Sequence, residues 1–332
     1  MQTLQNVSHR LDIVWDCYRS DSLKAFTRER RGLEKRKRVT PETVLPSQWG
    51  SFLRMDANKT QLFAFLARYL LTVQSEKLIV TAHGPDVISN KPIDHTNLSP
   101  CNHEEADTRM MIHLAHAAEH CRRILIRTVD TDVVVLSVAA MTRHPHLQLW
   151  IAMGAGKDFR YIAEHYISKV LGVAKAQCLP LFHSFTANDM SVLERFVTLL
   201  YDRGSNCHDV NSARKYMFTF GRQIENIPPT SEALFQHCKR AIYQGGHIWS
   251  QAHERQPVLP DPSDCGWQFM DRQWQPFWTV LPQASLTCRE LLKCACKKEC
   301  RSKRCKCNKA GLKCTALCSC VCGADFPVQH PV

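Results

Sequence analysis

From Lys293 to Cys322 the chain reads KCACKKECRSKRCKCNKAGLKCTALCSCVC, and this stretch holds nine of its 17 cysteines. They are Cys294, Cys296, Cys300, Cys305, Cys307, Cys314, Cys318, Cys320 and Cys322. Cysteines one residue apart rarely close an unstrained disulfide, because bridging needs Cβ atoms about 3.8 Å apart and a set torsion. Thiolates on zinc fit the spacing better. Three tetrahedral ions need twelve ligand positions, and nine thiolates fill them if three of the sulfurs bridge two ions each. The expected cofactor is therefore three structural Zn²⁺. Leu312 and Leu317 are nearly all the apolar material in the segment, so metal would have to supply the folding energy, on the order of 10–16 kcal/mol for a structural zinc site. A metallothionein-like metal buffer is the alternative reading.

A second set of residues could hold a harder cation. Asp16 follows the apolar run LDIVW, Glu104, Glu105 and Asp107 open HEEADTRMMIHLAHAAEH, and Asp130 and Asp132 follow RILIRTV. In an open α/β sheet the site lies beyond the carboxyl ends of the strands. In an extended segment residues two apart face the same way, so Asp130 and Asp132 could present both carboxylates to one point. Gathered carboxylates repel one another unless they are protonated or hold a cation, and oxygen ligands suit Mg²⁺ or Mn²⁺. Each position also has a plainer reading. Asn102 and Glu105 have the spacing of a helix capping box, and Asp130 fits a turn.

These residues must be positioned by alternating elements. Residues 11–15, 77–82, 123–129 and 147–153 read as strands. A basic helix is expected over 21–38, with further helices over 58–72 and 103–120. Strands alternating with helices imply an α/β domain with a mostly parallel sheet. After about residue 190 the pattern turns helical in SVLERFVTLLYDR, VNSARKYMFTF and SEALFQHCKRAIYQ, the last begun by Pro228, Pro229, Thr230 and Ser231. Residues 254–283, rich in Pro and Trp, read as an irregular wrap. His113, His116 and His120 share one helix face and read as exposed or packed. Gly154 to Lys157 lacks the full phosphate-loop spacing and reads as a turn. Outside the cluster, Cys17, Cys101, Cys121, Cys178, Cys207, Cys238 and Cys265 read as small buried hydrophobes.

The formal charge of +12 is concentrated in two patches, +8 over 293–322 and +6 over 24–38, which leaves −2 for the remainder. Nucleic acid is the natural partner for such patches, with a solvated helix face or a nuclear-import signal as the alternative for the first. Lys303, Arg304, Lys306, Lys309 and Lys313 are the expected contacts in the second. No stretch reaches the roughly 18 apolar residues of a membrane span, and the start has no signal-peptide pattern. The expectation is a reducing compartment and no membrane.

Two family resemblances organise these observations. The cysteine pattern resembles the tesmin-type CXC domain, a zinc-clustered DNA-binding module of nuclear proteins, here over 286–325. Arg304 stands where members usually carry an aromatic residue, and there is one module where many have two, which shifts the expectation from sequence reading to phosphate contact. The succession WDCYRSDSLKAFTRERR, EEADTRMMIHLAHA, VDTDVVVL is similar to PIN-like nucleases of the flap endonuclease group. That resemblance implies Asp16, Glu105, Asp107, Asp130 and Asp132 as metal ligands, with Asp189 where the family has a Gly-x-Asp motif. The chain starts at what would be the family's second acidic motif, and the Gly-rich hairpin turn after Asp189 is missing. The expected protein is a DNA-associated nuclear one, similar to animal proteins linked to mobile elements. A degenerate PIN-like body (1–190) would be followed by a helical and irregular extension (191–285) and the CXC module. An active metal-dependent, structure-selective endonuclease is the alternative.

Overall fold

The computed structural model describes residues 9–19, 21–29, 36–44, 46–178, 187–222, 226–279, 294–297, 300, 305–309, 314 and 318–320. The chain divides into two compact units, one formed by Met1–Ser184 with Lys239–Phe277 and the other by Phe185–Cys238 with Trp278–Val332.

The first unit is mixed α/β. In chain order it contains β1 (Arg10–Ile13), α1 (Ala25–Glu29), α2 (Trp49–Phe52), α3 (Asp56–Thr72), β2 (Leu78–His83), β3 (Asp86–Ser89), α4 (Ala106–Ala118), β4 (Arg123–Thr128), α5 (Thr131–Ala140), β5 (Gln148–Met153), β6 (Arg160–Ala163) and α6 (Glu164–Cys178). Instead of one mostly parallel sheet there are two three-stranded sheets, β1-β2-β3 and β4-β5-β6. Each holds one parallel pair, β1 with β2 and β4 with β5, and one antiparallel edge strand. The antiparallel partners arise from short returns after β2 and β5, too brief for a crossover helix.

The burial patterns explain the sequence patterns. β2 is buried along its middle four residues and reads as a continuous apolar run. In β4 Ile124 and Ile126 join the core while Arg123, Leu125 and Arg127 are exposed, the alternation of a strand with one covered face. The main core is built from Met111 and Leu114 of α4, Ile126 of β4, Val133 and Leu136 of α5, and Leu149 and Ile151 of β5. Ala252 and Trp249 pack into it from the returning segment. That segment is more regular than expected. Trp267–Met270 (β7) and Gln273–Pro276 (β8) form a hairpin turned by Asp271 and Arg272, both at positive φ. Two residues at positive φ suit the twist of a two-residue hairpin loop and let this Trp-rich stretch pair with itself.

The expected basic helix is present over Ala25–Glu29, and residues 36–40 are not helical. The intervening residues lie outside the described set. In the second unit, three helices form the described body: α7 (Ala187–Tyr201), α8 (Val210–Thr219) and α9 (Ser231–Ile242), the last of which runs on into the first unit. Asp209 caps α8 by accepting from Ser212 N at 2.8 Å, and Thr230 Oγ1 accepts from Ala233 N at 3.2 Å at the start of α9. Met190, Leu193 and Val197 of α7 pack on Val210, Leu234 and Cys238. Among the described residues no helix is long and apolar enough to cross a membrane.

Candidate metal centres

The cysteine cluster is assembled from loops and one short helix, Lys306–Lys309. Cys294, Cys305, Cys307 and Cys320 are buried, and Cys296, Cys300, Cys314 and Cys318 pack against them. Cys322 and the side chains of Lys303, Arg304, Lys306, Lys309 and Lys313 lie outside the described set. Sulfur–sulfur separations are 3.6 Å for Cys294–Cys300, 3.9 Å for Cys294–Cys314, 3.9 Å for Cys305–Cys314 and 3.6 Å for Cys307–Cys318. Two thiolates on one tetrahedral zinc, each about 2.3 Å from the ion, stand about 3.8 Å apart. A disulfide would bring them to about 2.0 Å. No disulfide joins the described cysteines of the cluster, and their spacing is that of ligands sharing an ion.

Two ligand sets emerge. Cys294, Cys300, Cys305 and Cys314 form one, and Cys294, Cys307, Cys314 and Cys318 the other, with the ligand atoms of each set within 4.8 Å of one another. Cys294 and Cys314 belong to both, which makes them the natural bridging thiolates. Burial raises the Cys294, Cys300, Cys307 and Cys314 thiols, Cys294 to about 12 and Cys307 to about 11. Cys305 goes the other way, lowered to about 6, chiefly because the backbone N–H of Asn308 points at it. A group of thiols this crowded resists ionising unless a cation joins it. The residues fit a metal ion such as zinc, which would supply charge neutralisation and cross-linking here.

The carboxylates are arranged differently. Asp16 is exposed, and both of its carboxylate oxygens are hydrogen-bonded. Its Oδ1 accepts from Ala106 N at 2.9 Å and its Oδ2 accepts from Tyr18 Oη at 2.9 Å. The capping box expected from Asn102 and Glu105 is therefore absent. Helix α4 begins later, at Ala106, and Asp16, brought in from the β1 side, satisfies its first N–H. Asp130 and Asp132 do not lie in one extended segment: Asp130 is extended and Asp132 is helical. Asp130 is the N-cap of α5, its Oδ1 accepting from Asp132 N at 2.9 Å. DVVVLSV lies within an apolar helix, so Asp130 and Asp132 sit at a helix N-terminus just past the end of β4.

Glu105, Asp107 and Asp132 nevertheless share one electrostatic neighbourhood. Burial, aided by the Glu105 and Asp132 charges, pushes Asp107 up to about 7. Burial, then Asp130 and Glu105, raise Asp132. Lys24 opposes both shifts and pairs with Glu105. Glu104 is taken as well, by Ser22 Oγ and by Arg28 Nη1 at 2.8 Å, with Arg28 also 2.6 Å from Asp56. Among the described residues no three carboxylates approach one another as closely as the thiols do; the sets of ligand atoms within 4.8 Å are all cysteine. Asp189 is exposed in the first turn of α7, in the second unit.

Sequence patterns did not reveal the polar network under α4. Asp12 accepts from Arg10 Nε at 2.7 Å and lies 2.9 Å from His113 Nδ1, while His116 Nδ1 meets Arg10 Nη1 at 2.9 Å. The histidine face is thus packed at His113 and His116 and exposed at His120. Arg109 of EADTR is buried as well, donating to the carbonyls of Gly84 and Asp86. The turn reading at Gly154 holds, with φ at +81° and the Asp158 carbonyl 2.5 Å from where a Cβ would stand. Of the scattered cysteines Cys101 and Cys238 are buried, and Cys17, Cys121, Cys207 and Cys265 half-buried.

Fold and site together define a mixed α/β chain with a C-terminal cysteine-rich cluster able to hold metal. Comparison with known proteins gives no match to a family model, to a curated protein or to a solved structure.

Proposed function

We propose that this chain is a DNA-associated nuclear protein in which a zinc-clustered CXC tail contacts DNA and a PIN-like, nuclease-derived body serves as scaffold. The observation that carries the reading is the pair of cysteine sets sharing Cys294 and Cys314. The sequence adds Cys296, Cys320 and Cys322 to the ligand count, which extends it to three zinc ions. Nine thiolates and three Zn²⁺ sum to −3, so the +8 of the segment's side chains leaves about +5 on its surface.

The scaffold role is supported by how the acidic residues are occupied. Asp16 caps a helix, Glu105 is paired with Lys24 and Glu104 with Arg28. One observation favours the second reading, an active divalent-metal nuclease: Asp107 and Asp132 are raised by burial and, after it, by their carboxylate neighbours, a charge that a Mg²⁺ or Mn²⁺ ion would offset. A bound pair of such ions would activate water and stabilise the leaving oxygen of a phosphodiester. In that reading Glu105, Asp107, Asp130 and Asp132 hold the ions, and Lys24 must release Glu105.

The test is a Mn²⁺ cleavage assay on branched DNA, comparing wild type with Asp107→Asn and Asp130→Asn, with duplex binding measured alongside. The scaffold reading expects binding without cleavage. Cleavage by wild type that is lost in both variants establishes the nuclease instead. Neutralising Lys303, Arg304 and Lys306 is expected to flatten the salt dependence of duplex binding by about 0.9 per lost phosphate contact. An unchanged slope would move the DNA site away from the tail.

A further inference from the structure

The sheet β4-β5-β6 has two unlike faces. Ile124, Ile126, Leu149, Ile151 and Ile162 belong to the core. Their alternates point the other way, and the strand register sets them in rows. Arg123 stands beside Gln148, Leu125 beside Trp150, and Arg127 beside Ala152, which is itself beside Tyr161. Partners in a row are about 5 Å apart, and successive rows on one face about 6–7 Å apart. This second face is open at its large side chains, with Ala152 buried at 2% beneath them. Leu125 is 42% exposed, Trp150 39%, Tyr161 60% and Phe159, at the end of the β5–β6 turn, 41%.

The aromatic rings are fixed in place. Trp150 meets His165 edge-on at 5.5 Å, and His165 Nδ1 lies 2.9 Å from the Leu149 carbonyl. Phe159 and Tyr161 pack edge-on at 5.1 Å. Arg127 lies 5.2 Å from the Phe159 ring centroid and donates to the carbonyls of Thr128, Ala152 and Gly154 at 2.6–2.9 Å. Its charge is met by these carbonyl dipoles and the Phe159 ring. Among the described residues neither Arg123 nor Arg127 forms an ion pair with a carboxylate. Lys157 and Arg160 are exposed on the rim, with Asp158 the one acid between them.

We infer that this open face is a platform for single-stranded DNA, with bases stacking on Trp150, Tyr161 and Phe159 and phosphates meeting Arg123 and Arg127. Rings spaced by one strand row match the separation of splayed bases, and every base has a face to stack, so such a platform reads little sequence. Pre-fixed rings lose little freedom on binding. A second copy of the chain is a poorer occupant. Three short strands expose roughly 200–300 Å² of sheet face, against the ~800 Å² per partner of a stable interface, and two such faces would bring unpaired arginines together. The platform also has a direction. Arg127 lies at the carboxyl end of β4, and Asp130 N donates to Thr128 Oγ1 at 3.0 Å just beyond it, so a strand laid along β4 runs toward the Asp107 and Asp132 carboxylates. Binding here requires neither zinc in the tail nor cleavage by the body.

The experiment uses the full chain and a short fluorescein-labelled oligo(dT), read by anisotropy in the presence of excess unlabelled duplex to occupy the tail. Trp150→Leu and Tyr161→Ala are each expected to weaken oligo(dT) binding on the order of tenfold. Tyr161→Phe, which keeps the ring, should bind like wild type, and direct duplex binding should be unchanged in all three. Thermal melting checks that the variants fold. Three results overturn the assignment: unchanged oligo(dT) affinity in the folded Trp150→Leu/Tyr161→Ala double variant, equal losses for duplex and single strand, or a wild-type dimer in light scattering that Tyr161→Ala converts to monomer. Tighter binding of oligo(U) than of oligo(dT) would give the face to RNA.

Discussion

The cysteine cluster and the carboxylate group are both collections of acidic ligands, and they solve the problem of gathered negative charge in opposite ways. At the cysteines, sulfurs approach to 3.6–3.9 Å in two sets that share members. At the carboxylates, charge is met by the protein itself through Lys24, Arg28 and the first N–H of α4, and what remains is relieved by the raised proton affinity of Asp107 and Asp132. The difference follows from what surrounds each site. The acidic residues sit on a body with its own apolar core, a source of folding energy that needs no ion. The core of the cluster is made of the cysteines, so order there is expected to depend on metal.

The largest expected effect tests the sharing. Cys294→Ser or Cys314→Ser removes a ligand common to both sets and should cost two zinc ions per chain. Cys305→Ser or Cys318→Ser, each in one set, should cost one. At the order of 10–16 kcal/mol per structural site, the first pair should leave the tail unfolded. Metal content by emission spectroscopy checks it, and equal losses in all four variants would break the bridging assignment.

Next in size is the pH dependence of the body. Asp107 has a folded-state pKa of about 7, above its ordinary 3.8. Its contribution to stability is therefore complete below about pH 4 and is lost as pH rises through 7. Asp107→Asn removes that loss, so urea denaturation should show the variant more stable than wild type at pH 8, by up to about 4 kcal/mol, with little difference at pH 4. Glu164, fully buried with neither carboxylate oxygen hydrogen-bonded and raised to about 7 by burial, should behave the same way on replacement by Gln. A destabilised Asp107→Asn at pH 8 would mean that a cation holds the ionised form.

The smallest effect sharpens the contrast from the acidic side. Lys24→Ala breaks a half-exposed ion pair worth at most about 1 kcal/mol, but it frees Glu105. Mn²⁺ should then raise the melting temperature of Lys24→Ala more than that of wild type. Equal responses would show that Lys24 does not stand in for a metal.

The two sites also differ in how legible they were. Cysteine spacing is a local property, and a metal cluster can be read from it before any fold is known. The carboxylates needed tertiary information. The helix α5 is apolar on every side, so DVVVLSV gave no period that distinguished it from an extended run. The Asp16 cap joins residues 90 positions apart, and Asp12 meets His113 across 101; neither leaves a short motif. Strands β2, β4 and β5 were found to within two residues because their apolar runs were long enough. The four-residue β3 and β6 were not, and α6 was missed because Val170 and Val173 face outward and Gly172 breaks its geometry at φ +75°. Whether β4 and β5 had one covered face or two could be settled only once helices were seen on one side.

The most direct test of the contrast is the metal content of the full chain. Native mass spectrometry of protein purified with zinc under reducing conditions should show three ions per chain, all removed by a chelator, with near-ultraviolet circular dichroism showing the body still folded afterwards. A chain that carries no zinc, or one whose body unfolds with the chelator, would contradict the account.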